Sequence, residues 1–345
     1  MANEPPNPPQ RRTGTATAAD VARLAGVSVS TVSLALSGRG RVSEKTIRHV
    51  RSIAEQLGYV PNAQASSLRR QVTHRIALVV PDIGNPVYVA VAKAIQREAK
   101  QRGYYVLLIS TDNVEGADVD ALHLLRNGHV DGMVLIAIRP SGELERQLGR
   151  IHKPICVIGK VPGGLGVDHV EVNSTRGVGL AVEHLLEQGR SRLVFVNGPL
   201  DTNPARLRLQ GYLEAARRAG LEERVVSCAF TLQGGYAAVD EVRARFPDAD
   251  ALVCANDLIG IGALKRLREL GVRVPEDVAV TGIDDIPECQ ICSPTLTSVA
   301  LHAGERGRMA AQMLLNRLSG EAPAAPLRVV VEPSLVVRGS TGGRP

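Results

Sequence analysis

In the stretch TAADVARLAGVSVSTVSLALS, residues 17–37, apolar positions recur at helical spacing, break at a glycine and resume. Thr17 is a good N-cap, and Val21, Leu24 and Ala25 fall at i, i+3 and i+4, which predicts one apolar helix face. Gly26 stops that helix, as a glycine in the left-handed region does. Ser28 caps a second helix whose Val32, Ala35 and Leu36 face inward, so the pair reads as a helix-turn-helix. A third helix starts at Ser43, carries Ile47, Val50, Ile53, Ala54 and Leu57 on one face, and ends at Gly58. Together the three close a small all-α core. Pro61 then breaks the helix and Asn62 caps a new one, in which Ala63 to Leu68 span about two turns. A helix that short is marginal in water, so it is expected to fold only against a partner and to act as a hinge.

The pattern changes after Arg75. RIALVVPD is a continuous apolar run of the parallel-strand kind, and PVYVAVAKAIQREAKQRG is an amphipathic helix that ends at Gly103. YYVLLIS, DGMVLIAI and KPICVIG follow as strands, and a second series runs through SRLVFVNG, VVSCAF, DALVCAND and VAVTGID. Two α/β series in tandem predict two doubly wound parallel sheets, that is, two lobes with a cleft between them. The expected organisation is a disordered Pro-rich tail over 1–14, a helix-turn-helix domain over 15–60, a hinge and linker over 61–74, a core over 75–338 and a flexible tail over 339–345. Within the core, lobe 1 takes about 75–171 and 300–330, and lobe 2 about 172–299 and 331–338.

Charge sharpens this picture. From Arg11 to Arg75 there are 11 basic residues against three acids (Asp20, Glu44, Glu55), whereas the rest of the chain is near balance. A basic head on a neutral body points to a polyanionic partner for the head alone. No apolar run approaches the roughly 20 residues that span a bilayer, and the start, MANEPPNPPQRRTG, lacks the apolar stretch of a secretory signal. Five cysteines, an odd number, fit a reducing compartment. Cys289 and Cys292 form a C-x-x-C without a second ligand pair at metal-site spacing, so they read as packing residues one helical turn apart, with a redox motif as the alternative. A cytoplasmic, nucleoid-associated protein without cofactor or membrane partner is expected.

The segment DVARLAGVSVSTVSLALSGRGRVSEKTIRHVRSIAEQLGYVPNAQASSLRR, residues 20–70, resembles the DNA-binding headpiece and hinge of the lactose/galactose repressor family of bacterial transcriptional regulators. The order of elements over 75–338 resembles the sugar-binding core of the same repressors, itself similar to periplasmic sugar-binding proteins. The resemblance implies a dimer whose recognition helices lie in the major groove of a palindromic operator, with paired hinge helices wedging a leucine into the minor groove. Leu68 stands at the wedge position. Base reading falls to Val29, Ser30 and Leu34. Thr17, Ser28, Thr31, Ser33 and, in the hinge, Asn62 and Ala65 complete the implied DNA-contacting set. Leu34 departs from the family, where arginine is common there. Arginine reads guanine through two hydrogen bonds, whereas leucine offers only apolar contact, for instance to a thymine methyl. Arg39, Arg41, Lys45 and Arg48 are placed to hold phosphates, with plain solvated charge as the alternative.

For the core, the resemblance implies a small-molecule effector that resets the angle between the lobes, with induction and corepression both open. Asn85 and Tyr88 stand at a strand-to-helix turn, where Val87 replaces one of two aromatics common in the family. Arg208 matches the family's arginine three residues before a glycine, Asp284 its ligand carboxylate and Phe230 its stacking aromatic. Asn256 sits at a strand end, and Asp285 reads as structural. Arg208 and Asp284, both in strand-end or turn segments of the second lobe, are expected to grip the effector from opposite sides of the cleft. Two departures stand out: Gly159 and Lys160 replace an Asp-Arg pair frequent in sugar-responsive relatives, and Asn173 and Ser174 replace an Asp-Asn. A sugar or sugar derivative is favoured as effector, with a nucleobase or another metabolite as the alternative. GKVPGGLG lacks phosphate-loop spacing, and no Ser-His-Asp or metal order emerges, so an enzyme is not expected. A sugar-binding module without DNA is disfavoured by the basic head.

Overall fold

The computed structural model describes residues 16–37, 42–59, 72–139, 141–161 and 165–342. The chain divides into two compact units, Met1–Val72 and Thr73–Pro345.

The first unit holds α1 (Ala18–Ala25), α2 (Val29–Ser37) and α3 (Glu44–Gln56). Thr17 and Asp20 form a reciprocal capping box at the start of α1: the Asp20 amide donates to Thr17 Oγ1, and Asp20 Oδ2 accepts from the Thr17 amide. Gly26 ends the helix with φ +64°, a left-handed conformation that glycine adopts without steric cost. The chain therefore turns sharply, and α2 leaves α1 at 100°, within the range of helix-turn-helix pairs. Val21, Ala22, Ala25, Val32, Ala35, Val50 and Ala54 close the core. Leu24, expected inward, is instead 54% exposed and Ala22 takes its place. The buried face of α1 is a narrow run of small side chains, which lets three short helices approach closely.

The second unit begins with β1 (Arg75–Val80), α4 (Pro86–Gln101), β2 (Tyr105–Ser110), α5 (Ala117–Arg126), β3 (Gly132–Leu135), α6 (Gly142–Leu148), β4 (Ile155–Ile158) and β5 (Asp168–Val172). The second series is α7 (Ser174–Glu187), β6 (Leu193–Asn197), α8 (Asn203–Ala219), β7 (Val225–Ser227), α9 (Leu232–Arg245), β8 (Ala251–Cys254), α10 (Asp257–Glu269), β9 (Ala279–Ile283) and β10 (Thr297–Ala300). It ends with α11 (Ala303–Ser319), β11 (Arg328–Val331) and β12 (Ser334–Val336). The sheets run β11-β5-β4-β3-β1-β2 and β12-β10-β9-β8-β6-β7, all pairs parallel except β10 with β12. Helices cover both faces, so strands such as β1, β3, β6 and β8 bury almost every residue.

The chain crosses between the sheets after β5, after β10 and after β11. The last two crossings return α11 to the first lobe, packed against α4, and β12 to the second. Ala300 thus belongs to the second sheet and Val331 to the first. Residues 339–342 are no free tail. Ser340 and Thr341 are buried, Ser340 Oγ donates to Val280 O at 2.6 Å, and Thr341 Oγ1 lies 2.8 Å from both His184 Nε2 and Thr297 Oγ1. The small polar residues that read as a flexible end supply hydrogen-bonding groups to the end of the second sheet. Burial holds the His184 imidazole below its ordinary pKa.

Candidate functional site

Two surfaces carry chemistry, one in each unit. On the head, α2 has no charged residue. Val29 is 41% and Leu34 43% exposed, and Ser30 and Ser33 are exposed beside them. The helix buries Val32 and Ala35 and turns an uncharged face outward. Ser28 Oγ accepts from the Thr31 amide at 3.1 Å and lies 2.9 Å from Thr31 Oγ1, so both side chains are engaged in capping. Thr17 is likewise a cap. Lys45 and Arg48 are exposed on α3. The expected phosphate holders Arg39 and Arg41, and the hinge residues Asn62, Ala65 and Leu68, lie outside the described residues.

In the second unit a cavity of about 330 Å³ opens between the lobes. It lies at the carboxyl ends of β1, β3 and β4 on one side and of β6, β8 and β9 on the other, where open α/β sheets present ligand groups. Asn85, Tyr88, Arg208, Phe230, Asn256 and Asp284 all line it. Asn85 caps α4 by accepting from the Val87 amide at 3.1 Å, and Asn256 caps α10 by accepting from the Ile259 amide at 2.9 Å. Their amide nitrogens are the groups left over for the cavity. Val87 is buried against the core and also borders the cavity.

Arg208 and Asp284 do not face each other across the cleft. Both belong to the second lobe, and Arg208 Nη2 donates to Asp284 Oδ1 at 3.1 Å while Nη1 donates to the Ala255 carbonyl at 2.5 Å. The end of β9 and the inner face of α8 meet there, which their separation in sequence conceals. Phe230 lies over the Arg208 guanidinium, 5.9 Å from ring centroid to Cζ. A Cβ on Gly198 would come within 2.1 Å of that ring, so only glycine leaves room for it. Asp284 has φ +114° and Asp285 φ +55°, a strained pair for residues with a Cβ. Asp285 is tied off by Arg338 Nη2 at 2.7 Å.

Burial raises the pKa of Asp284, against the opposing pull of Arg208 and Arg306. Beneath it, burial pushes the Asp257 carboxyl up to about 7, and the negative charge of Asp284 adds to the effect. Asp257 accepts from Ser298 Oγ at 2.5 Å and from the Ile286 amide at 2.9 Å, a structural buttress for the loop that carries Asp284. Burial also raises the Tyr88 phenol.

The structure adds Arg306, Lys160, Glu171, Thr202 and Asn203 to the lining. Arg306 had a legible signal: it interrupts the inward stripe Ala303, Gly307, Ala310, Ala311, Leu314 of α11 with a charge. Of the two departures, Gly159 takes φ +138° and lines the cavity with Lys160, whereas Asn173 caps α7 and only Ser174 reaches the cavity. Cys289 is buried and Cys292 half-buried, with Cys292 Sγ donating to the Cys289 carbonyl at 3.5 Å, and both thiols are free. Among the described residues no cluster of His, Cys, Asp and Glu is arranged to hold a metal, and no single helix is long and apolar enough to cross a membrane.

Residues 17–62 match the model of "Bacterial regulatory proteins, lacI family", and residues 182–341 match a "Periplasmic binding protein-like domain". The ribose operon repressor of Escherichia coli (strain K12) is 33% identical over 331 residues, which cover 94% of this chain and 99% of that protein. The HTH-type transcriptional regulator CelR of Thermobifida fusca is 36% identical over 332 residues, covering 93% and 96%. Among solved structures, the lac repressor dimer bound to operator and the anti-inducer ONPF superposes with a TM-score of 0.84 at 25% identity, covering 95% of this chain and 99% of that one. A CelR–cellobiose complex gives 0.71 at 34% identity, covering 94% and 99%. These relatives are transcriptional regulators rather than enzymes, and the chain belongs with them to the lacI family of bacterial regulatory proteins.

Proposed function

We propose that this protein is a homodimeric, cytoplasmic repressor of transcription, which binds a palindromic operator through its helix-turn-helix and answers to a small-molecule effector, a sugar or sugar derivative, in the interlobe cavity. One observation carries the reading: a single chain joins a helix-turn-helix with an uncharged exposed recognition face to a cleft whose strand ends gather Arg208, Phe230 and Asp284. The relatives support both halves, one being a repressor dimer on its operator with an anti-inducer and another a complex with cellobiose.

Val29, Ser30 and Leu34 read bases, Thr17, Ser28, Thr31 and Ser33 flank them, and Lys45 holds phosphate with Arg39 and Arg41. Asn62, Ala65 and Leu68 supply the hinge contacts. Asn85, Tyr88, Arg208, Phe230, Asn256 and Asp284 take the effector. Because the cavity is lined from both lobes, a ligand there favours one lobe arrangement over another, and operator affinity and effector affinity change each other by the same factor. The test is selection of bound sequences from a random DNA pool, followed by a metabolite panel scored for change in operator binding. A palindromic consensus and a metabolite whose effect disappears in Arg208→Ala support the reading. Binding without sequence preference overturns it.

A further inference from the structure

Among the described residues two cations of the cavity lining, Arg306 and Lys160, have no ion-pair partner, and Arg306 is the one whose guanidinium is buried. Arg306 rises from the first turns of α11 in the first lobe, and its Nε is buried without a hydrogen-bond partner. Arg208 Nε, in the second lobe, is orphaned in the same way. Two other charged side chains of the lining are paired with partners of opposite sign, and Asp82 is held by a backbone amide. Arg139 pairs with Asp201 at 2.7 Å, Glu171 with Arg328 at 2.9 Å and His169 at 3.0 Å, and Asp82 Oδ1 accepts from the Gly84 amide at 2.7 Å. Asp284 is the carboxylate that feels two guanidiniums, one of which, Arg208, it bonds directly. Burial lowers the Arg306 pKa, the negative charge of Asp284 opposes that and the positive charge of Arg208 adds to it, so the site holds this cation at a cost. Exposed Lys160 adds a further positive charge at the rim. Two rings, Tyr88 and Phe230, border the cavity, and Phe230 lies over Arg208.

A guanidinium offers a planar fork of donors that matches the oxygens of a carboxylate or phosphate. We infer that the effector carries an oxyanion, as in a sugar phosphate or a sugar acid, and that Arg306 is the residue that binds it and selects it over the neutral sugar. The inference rests on the cavity being the effector site. Asp284 then accepts hydroxyls of the same ligand, while the oxyanion links Arg306 of one lobe to Arg208 of the other.

The first measurement uses inorganic phosphate as probe. The melting temperature of the full-length protein is followed in phosphate against chloride at equal ionic strength, for wild type and Arg306→Gln. Phosphate stabilises proteins generally, so the readout is the difference: wild type gains more than the variant, and equal gains overturn the proposal. In chloride alone Arg306→Gln melts no lower than wild type, since it loses an unmatched charge. A lower melting point would make Arg306 a structural residue and also overturn the proposal. The second measurement titrates matched sets by calorimetry: glucose, gluconate and glucose 6-phosphate, and ribose, ribonate and ribose 5-phosphate. Within the responsive set an acidic member binds at least tenfold more tightly than its neutral partner, and the preference disappears in Arg306→Gln. Whether the carboxylate or the phosphate member wins identifies the oxyanion. Equal affinity of neutral and acidic members overturns the oxyanion while leaving the cavity reading intact. Acidic sugars whose binding survives in both Arg306→Gln and Asp284→Asn overturn both.

Discussion

At residue 34 a leucine stands, 43% exposed, on the outward face of α2. An apolar side chain in the major groove discriminates through a thymine methyl, whereas arginine discriminates through guanine N7 and O6. Leu34→Arg is expected to shift the preferred base at one symmetric pair of operator positions towards guanine, by about 1–3 kcal/mol of discrimination. Operator selection with both proteins checks this, and identical consensus sequences would remove Leu34 from the reading set. Lys45 is proposed as a different kind of contact, to phosphate. Lys45→Ala should weaken operator and random DNA alike and flatten the log-log salt dependence by about 0.9, which titration over a salt series measures. Asp257 makes a prediction in pH. It is 1% exposed, and its carboxyl is raised from 3.8 in the unfolded chain to about 7 in the fold. The folded state therefore holds a proton that the unfolded state has released between those values. The stabilising effect of that proton is present in full below 3.8 and is lost as pH rises through about 7. Urea midpoints from pH 4 to 8 should show wild type losing stability relative to Asp257→Asn as pH rises, and parallel profiles would contradict this.

At the scale of elements, the site depends on close approaches between strand ends. The loop after β6 passes under Phe230 with no room for a side-chain carbon at Gly198. Gly198→Ala should push the ring off Arg208 and reduce effector affinity about tenfold or more, while operator binding in the absence of effector stays near wild type. Calorimetry beside an operator-binding assay separates the two. Equal loss of both would indicate a damaged fold rather than a displaced ring. The caps at Asn85 and Asn256 belong to this scale as well. Each holds a helix N-terminus at the cavity edge with its oxygen and leaves its amide group available there.

Across the whole core, α11 leaves the second sheet and returns to the first, so its anchorage decides where Arg306 sits. The anchor is a two-pronged pair: Arg317 Nε and Nη2 each donate to Asp168 at 2.8 Å, and Asp168 also accepts from the Leu327 amide at 2.7 Å. Asp168 is buried, and removing one partner of a buried pair strands the other charge. Asp168→Ala is expected to cost about 3 kcal/mol of stability, at the low end for such losses because Arg317 reaches solvent in part. Chemical denaturation measures it, and a change below about 0.5 kcal/mol, ordinary for a surface substitution, would show that α11 is held by apolar packing alone.

Periodicity by itself determined the three head helices, eight of the core strands and the alternation of helix and strand between them, because burial on one helix face or both strand faces writes itself into local spacing. The short strands Asp168–Val172, Thr297–Ala300, Arg328–Val331 and Ser334–Val336 did not emerge from it. The head was legible almost residue by residue: Thr17, Gly26, Ser28 and Ser43 are cap and stop signals that act within a single turn. Leu24 escaped because helical spacing ranks apolar positions without saying how wide the buried stripe is. The six cleft residues were found at strand ends and by family resemblance, yet their arrangement was decided only by the fold. Arg208 and Asp284 are 76 positions apart, and nothing local says that α8 and β9 bring them to 3.1 Å. Arg306 shows the same limit from the other side. Its charge in an apolar stripe was visible in the sequence, but the stripe turns into a cavity rather than a core only because α11 crosses back to the first lobe. Ser340 and Thr341 read as a loose end, since small polar residues carry no periodic signal. Tertiary structure alone supplied the buried hydroxyls and carbonyls that hold them.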